Sequence, residues 1–222
     1  MFELPTTEIG GDLLYATGFG DIVEYFTVYT TLLLVFAVVF TLLAVFARPE
    51  RQVDIAFGGD AFYTKDIQKD DLRFQRFIAI ACGIATMGAL ISGDVFNFTL
   101  FCAMIGITNI GIVASYRNKY VLETAYEYGI VAMTATVPLF GAAAIILATT
   151  GTLSMWVLFT EAVTVPLIAK ILLLVGVMGE GMAPFFIGKA EITRAPGAPY
   201  VLMIHVSSLL IFLRVVEILL SM

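Results

Sequence analysis

Residues 77–114 read FIAIACGIATMGALISGDVFNFTLFCAMIGITNIGIVA, an apolar stretch interrupted only by SGDVFNF at positions 92–98. A charged side chain at the centre of a bilayer costs about 2.5–3.5 kcal/mol on insertion scales. Asp94 therefore either performs a function within the membrane or marks a boundary between two spans. The distribution of basic residues favours the boundary, so the stretch is predicted to form two helices joined by an outward-facing turn, where the desolvation cost of Asp94 is small.

The composition lies outside the range of soluble globular proteins. Of the 222 residues, 60% are hydrophobic and 14% are charged, and the mean hydropathy is +0.97. The alternating pattern of barrel strands is absent, which leaves α-helices as the spanning elements. A helix needs about 20 apolar residues to cross the hydrocarbon core. The chain is predicted to be an all-α integral membrane protein, a single transmembrane domain over residues 1–222, with six spans near 22–47, 72–91, 95–115, 123–149, 162–187 and 199–221.

Basic residues predict the orientation of these spans. Ten of the twelve Lys and Arg residues fall in the alternate segments 48–76, 116–122 and 188–198, and segments rich in Lys and Arg face the cytoplasm. Both termini are therefore predicted to lie outside, and the first twenty residues, without Lys or Arg, predict no cleaved signal peptide. The cytoplasmic loop near 48–71 carries mixed charges, which favours a solvated excursion over docking to a partner subunit.

Several classes of partner and cofactor are excluded. A net charge of −6 in a membrane protein rules out nucleic acid as a ligand. Cys82 and Cys102 are isolated in apolar stretches and are predicted to be small buried hydrophobic residues. The sequence contains no Cys-x-x-Cys pair, so we expect neither a metal site nor a bound cofactor.

Two charged residues near the fifth predicted span are candidates for an ion or proton path. Lys170 lies near the middle of that span, where it serves either such a path or a salt bridge to a neighbouring helix. Glu180 lies in GVMGEGMAPFF, whose glycines and proline predict a break in the helix near Gly179 to Pro184. Broken helices line ion sites in transporters, although Glu180 could instead mark the cytoplasmic boundary.

The remaining candidates lie in the fourth and sixth predicted spans. His205 is the only histidine, and its ordinary pKa of about 6.5 suits proton exchange. Glu127, at the cytoplasmic start of the fourth span, is a candidate for proton uptake. Arg214 and Glu217 are three residues apart on one helix and are predicted to form a structural charge pair.

Three motifs resemble the antiporter-like membrane subunits shared by respiratory complex I, Mrp antiporters and energy-converting hydrogenases. The segment SGDVFNFTLF is similar to the family's Gly-Asp-Leu-Phe-Asn-x-Phe, LETAYEYGIVA with the later GTLSM to Leu-Glu-Ala-Ala-x-Lys-Tyr and Gly-Thr-Leu-Asn-Met, and the broken helix to Lys-Ala-Gly-x-x-Pro. The resemblance covers the chain from about Arg73 onward. It implies one half-repeat of a subunit that pairs two inverted repeats of five helices.

Two charges of the family pattern are missing. Ala103 stands where the resemblance places a buried glutamate, and Gly179 stands where it places a lysine. Glu180 and His205 each lie next to a position from which a family charge is missing. They are either displaced substitutes or accidents of a degenerate repeat.

The resemblance implies a place in a larger complex of the cell membrane. The short membrane subunits of the methanogen energy-converting hydrogenase Eha are similar, which implies a non-catalytic subunit that contributes to proton or sodium translocation coupled to ferredoxin and hydrogen chemistry. Its partners would be other membrane subunits and the lipid bilayer, and indirectly the peripheral hydrogenase and ferredoxin-type subunits. The alternatives are a non-conducting scaffold subunit and a small dimeric ion carrier.

Overall fold

A computed structural model describes residues 13–19, 22–47, 53–58, 61–66, 69–115, 119–160, 163–180 and 200–222. The described helices are α1 Val28–Phe46, α2 Lys69–Ile91, α3 Val95–Ala114, α4 Lys119–Thr150, α5 Met155–Thr160, α6 Leu167–Gly179 and α7 Tyr200–Ser221. The described strands are β1 Leu13–Phe19, β2 Ile22–Thr27, β3 Val53–Gly58 and β4 Ala61–Asp66.

Five of these helices, α1 to α4 and α7, are long and apolar enough to cross a membrane. The helical character predicted for the membrane domain is confirmed. The count of six spans is not, because α6 has 13 residues, or about 20 Å of helix, against a hydrocarbon core about 30 Å thick. The helix ends at Gly179, and the rest of the break predicted near Gly179 to Pro184 lies outside the described residues.

Two helices begin later than predicted. The first span was expected to start at residue 22, but residues 22–27 form β2, and α1 starts only after Thr27. The Thr27 side chain accepts a hydrogen bond from the backbone N–H of Thr30, and the Thr30 hydroxyl accepts one from Thr27, which completes a capping box. In the fifth predicted span, residues 163–166 are not helical and α6 follows Pro166, a residue favoured near a helix start.

Two antiparallel hairpins add β-structure outside the helices. Strands β1 and β2 pair from Leu13 with Thr27 to Phe19 with Ile22. Strands β3 and β4 pair from Val53 with Asp66 to Gly58 with Ala61. The second hairpin lies in the segment predicted as a solvated loop over 48–71, which also ends early because α2 begins at Lys69.

The turn between α2 and α3 separates two helices at the predicted place. Asp94 is the N-cap of α3, and its Oδ1 accepts a hydrogen bond of 2.7 Å from the backbone N–H of Asn97. The backbone on either side pairs with residues 153–155, since Val95 donates to Leu153 and Met155 donates to Gly93. This contact buries Asp94 to 4% exposure. Its desolvation is therefore larger than expected for an outward turn, and the cap hydrogen bonds offset it.

At the other end of the bundle, two side chains cap the carbonyl end of α1. The Arg76 guanidinium donates to the backbone oxygen of Val45, and the Tyr200 hydroxyl donates to that of Ala47 at 3.0 Å. The last carbonyls of a helix have no partner within it and carry a partial negative charge. Arg76 and Tyr200 thus tie α2 and α7 to the end of α1.

Small residues let α6 pack closely on α4. A Cβ atom added to Gly176 would lie 2.5 Å from Cγ of Leu139, and one added to Gly179 would lie 2.5 Å from Cβ of Ala135. Separations this short are not found between real side chains, so α4 leaves no space for a larger residue at either position. The lysine that the family resemblance places at Gly179 would not fit in this packing. The close approach also carries the next residue, Glu180, into the bundle.

Candidate functional site

Glu180 is held in the interior at the carbonyl end of α6. Its side chain is buried, with the whole residue 1% exposed. Its backbone N–H donates to the carbonyl of Gly176 at 3.0 Å, and its own carbonyl accepts a 2.5 Å hydrogen bond from the hydroxyl of Tyr128 on α4. These contacts fix the backbone at Glu180, so the direction of its side chain is set by α4 and α6 together.

The carboxyl group of Glu180 rests against α3. A Cβ atom added to Gly106 would lie 1.9 Å from Oε2 of Glu180 and 3.8 Å from Cβ of Ala132. The carboxyl therefore fills the space that a side chain at position 106 would take. The Cys102 thiol, one turn earlier on α3, is close enough to interact with the charge of the carboxylate. Among the described residues, Oε1 has no hydrogen-bond partner.

Asn109 adds a second polar group to the same region. It is fully buried on α3, and its Oδ1 accepts a hydrogen bond of 3.4 Å from the Cys82 thiol on α2. Its Nδ2 has no partner in the described part of the chain, and its side chain lies beside the Tyr128 hydroxyl. Tyr128 is also close enough to the Glu180 carboxylate to interact with its charge. An amide donor and a carboxyl acceptor, both buried, therefore lie on the two sides of one tyrosine.

Neither Asn109 nor Tyr128 was among the candidates from the sequence. Both are uncharged, and the search for candidates followed ionisable side chains in apolar spans. One signal was present in the sequence: Cys102, Gly106 and Asn109 are spaced four and three residues apart, which places them on one face of a helix.

Lys170 does not join this site. It lies in the first turn of α6, ten residues before Glu180, which corresponds to about 15 Å along the helix. Its side chain is half-buried. Across the described segments, no carboxylate forms an ion pair with it.

His205 and Glu127 also lie apart from the Glu180 carboxyl. His205 is half-buried on α7, two residues before Ser207, a buried residue whose side chain is at the Cys82 thiol. Glu127 is exposed on α4, beside the buried Tyr128 in the chain. Of the four predicted path residues, Glu180 is the one that is buried.

The other end of the bundle holds a second buried charge cluster. Nη1 of Arg214 lies 2.5 Å from Oε2 of Glu217. Nη2 of Arg214 donates to the Tyr25 hydroxyl at 3.2 Å, and the guanidinium stands over the Tyr25 ring at 5.5 Å. The Met155 sulfur lies 3.9 Å from the same nitrogen. A cation in contact with a carboxylate, a hydroxyl and an aromatic face is well compensated for its burial.

Strand β2 and helix α5 cover this cluster. The Tyr25 ring lies 5.9 Å from that of Trp156 and 6.1 Å from that of Phe159. The Tyr29 hydroxyl donates to the Leu213 carbonyl on α7 at 3.0 Å. The segment predicted as an amphipathic stretch around Trp156 is thus a short helix that packs on the first hairpin and closes one end of the bundle.

Glu24, next to Tyr25 on β2, has a perturbed carboxyl. Partial burial raises its pKa above the ordinary value of 4.5, and the negative charge of Asp94 raises it further. Both causes disfavour the ionised form. The hairpin is therefore expected to respond to pH where it meets the turn between α2 and α3.

The chemistry available at these sites is limited to charge and protons. Within the ranges that the structure describes, no group of three or more His, Cys, Asp or Glu residues could hold a metal ion. Cys82 and Cys102 are free and buried, in agreement with the structural role predicted for them. A buried carboxyl such as that of Glu180 can take up a proton or hold a small cation.

Comparisons with known proteins relate the whole chain to one family. The family model described as "NADH dehydrogenase I, subunit N related protein" matches residues 3–222. The chain is 44% identical over 218 residues to an uncharacterized protein of Methanocaldococcus jannaschii, MJ0522, a match covering 96% of this chain and 98% of that protein. No solved structure matches the chain.

Proposed function

Because the chain belongs to the family of NADH dehydrogenase I subunit N-related proteins, we propose that this complex I-related membrane subunit contributes part of a proton or sodium path to an ion-translocating complex. The observation that carries the proposal is the Glu180 carboxyl, which is buried at the end of α6 with one oxygen unpaired among the described residues. Ionisable groups buried within membrane segments are costly and usually belong to ion or proton paths.

The other charged residues would extend the path from Glu180. Glu127, exposed on α4, is proposed as a point of proton uptake. Lys170 and His205, both half-buried, are proposed to continue the path along α6 and α7. Both termini would face outward from the cell membrane, which is the orientation that the basic loops favour.

The finer assignment is to an energy-converting [NiFe] hydrogenase of the Eha type, in which the chain would be a short membrane subunit. The motifs around Asp94, Tyr128 and Gly179 support it by resemblance. In such a complex the redox centres would belong to other subunits, and the described residues offer no set of metal ligands. Affinity purification of the tagged chain from its native membrane tests this assignment. Recovery of hydrogenase and ferredoxin-type subunits is expected, and recovery of a complex without them would contradict it.

Transport measurements on the intact complex test the ion path. Glu180→Gln keeps the size of the side chain but removes its ability to ionise, so we expect most of the coupled ion translocation to be lost. Lys170→Ala is expected to act in the same direction. Glu123→Gln, an exposed carboxyl on α4, is the matched control. Undiminished translocation by assembled Glu180→Gln complex would overturn the proposed path.

A scaffold role is the second candidate, and close packing favours it. Gly179 meets α4 at a separation too short for any side chain, and Ala103 is buried on α3, so two positions of family charges serve helix packing here. A scaffold subunit would lose its complex when these contacts are disturbed. It would keep ion translocation in Glu180→Gln.

A further inference from the structure

We propose that Gly106 and Asn109 make the Glu180 site selective for protons over sodium ions. The inference rests on the proposed function, since it names the ion that this carboxyl carries. Gly106 allows the carboxyl to lie directly on α3, and Asn109 presents an N–H donor where a bound cation would require an oxygen.

The position of Oε2 is the first argument. This oxygen occupies the space of the missing side chain at Gly106, 1.9 Å from where a Cβ atom would be. Helix α3 therefore blocks one side of the oxygen. A sodium ion needs several oxygen ligands around it, and in transporters these come from carboxylates and from free carbonyls at helix ends. A proton needs a single oxygen and no space beyond an ordinary hydrogen bond.

The carbonyls at the end of α6 are the second argument. The Glu180 N–H donates to the carbonyls of Gly176 and Met178, and the Glu180 carbonyl accepts the hydrogen bond of Tyr128. Three oxygens that could have joined a cation site are thus already engaged. The carbonyl end of a helix also carries a partial negative charge, which disfavours a carboxylate at this position and favours its protonated form.

The orientation of Asn109 is the third argument. The Cys82 thiol donates to Oδ1, which turns the Nδ2 donor group toward the side of Tyr128. The groups that face Glu180 are then the Cys102 thiol on α3, the Tyr128 hydroxyl on α4 and this amide N–H. Among the described residues, no Lys or Arg is paired with the carboxylate. Donors stabilise the carboxylate that remains when the proton leaves, and they repel a metal cation.

The transfer step needs only water as a partner. Glu180 forms an O–H bond with a proton that arrives as hydronium and leaves a neutral water molecule behind. The O–H bond breaks again when a second water molecule accepts the proton. The amide of Asn109 and the carboxyl of Glu180 are complementary groups that a bridging water could join. Asn109 is a positioning residue in this scheme because it does not itself exchange the proton.

Infrared difference spectroscopy of the full chain in lipid nanodiscs tests the selectivity. The protonated carboxyl signal that is lost in Glu180→Gln, or shifted in Glu180→Asp if the first variant does not fold, reports on this one group. We expect the signal to fall as pH rises and to stay constant when sodium chloride replaces choline chloride at fixed pH. A signal that sodium ions diminish, or no protonated carboxyl at any pH, would overturn the proposal.

Asn109→Leu tests the role of the donor amide. Loss of a hydrogen bond to a charged group is expected to move the midpoint of the Glu180 titration upward by about one pH unit. Thr99→Val, a buried substitution ten residues earlier on α3, is the matched control and should leave the midpoint in place. An unchanged midpoint in Asn109→Leu would exclude Asn109 from the site. A sodium-sensitive spectrum together with loss of transport in Glu180→Gln would contradict the selectivity alone, whereas undiminished transport in that variant would contradict the proposed function.

Discussion

Arg214 and Glu217, one turn apart on α7, form an ion pair from which water is excluded: Nη1 lies 2.5 Å from Oε2, and the side chains are 1% and 0% exposed. Arg73 and Asp70 have the same spacing on α2, at 3.3 Å, with side chains 79% and 88% exposed. The chain thus contains two pairs of equal sequence spacing and opposite environment. The burial of the first pair depends on Tyr25 and Met155, which approach from β2 and α5.

Removing one charge of the buried pair should strongly destabilise the fold. In Glu217→Gln the Arg214 guanidinium stays buried without its counter-charge, and we expect a loss of about 3–5 kcal/mol in the free energy of unfolding. Arg73→Gln breaks the exposed pair and should cost about 0–1 kcal/mol. Reversible unfolding in mixed micelles measures both variants. Equal effects of the two substitutions would show that burial of the Arg214 pair does not matter.

The hydroxyl of Tyr25 should contribute separately from its ring. Tyr25→Phe keeps the ring contacts with Trp156 and Phe159 and removes the hydrogen bond from Arg214. We expect a loss of about 1–3 kcal/mol, because Arg214 is left with one partner fewer in a buried site. Tyr15→Phe on the exposed face of β1 is the control and should change stability by less than about 0.5 kcal/mol. The same unfolding assay compares the two, and a neutral Tyr25→Phe would contradict the role of the hydroxyl.

Local sequence patterns were sufficient for the helices and for the Arg214–Glu217 spacing. Apolar runs identified the five long helices, because a segment of that length must bury its backbone in a helix to enter lipid. The turn at 92–94 followed from Asp94. The start of α1 did not follow, since the residues before Thr27 are as apolar as a helix, and their pairing with β1 is a contact between distant positions.

The candidate site could be predicted only in part, because its geometry depends on contacts between helices. Glu180 was identified from its charge and its glycines. Its position against Gly106 depends on how closely α6 approaches α4, which no local pattern reports. Lys170, ranked beside Glu180 from the sequence, lies at the opposite end of the same short helix. Asn109 carries no charge, so only its burial and its contact with Cys82 reveal it.

The first hairpin should lose stability as the pH rises. The pKa of Glu24 is raised above 4.5 in the folded protein, first by burial and then by Asp94, so the folded state binds this proton more tightly than the unfolded state. The stabilisation is complete below about pH 4.5 and is lost as the pH passes through the raised pKa. Glu24→Gln should flatten this part of the stability profile. Thermal unfolding between about pH 4 and 7 measures the effect, with Glu123→Gln as the control, and an unchanged profile in Glu24→Gln would contradict the assignment.

Gly106 should be intolerant of even one methyl group. In Gly106→Ala the new Cβ would overlap Oε2 of Glu180 at 1.9 Å, so the carboxyl must leave α3 or the helices must separate. Overpacking of this kind costs about 1–3 kcal/mol, and ion translocation should fall as it does in Glu180→Gln. Gly141→Ala on α4, where an added Cβ meets nothing within 4 Å, should be neutral or stabilising by up to about 1 kcal/mol. The double variant Gly106→Ala with Glu180→Asp has a carboxyl that is shorter by one methylene group and should recover part of the lost stability and transport. If Gly106→Ala matches Gly141→Ala in both measurements, the carboxyl does not rest on α3 as the structure has it.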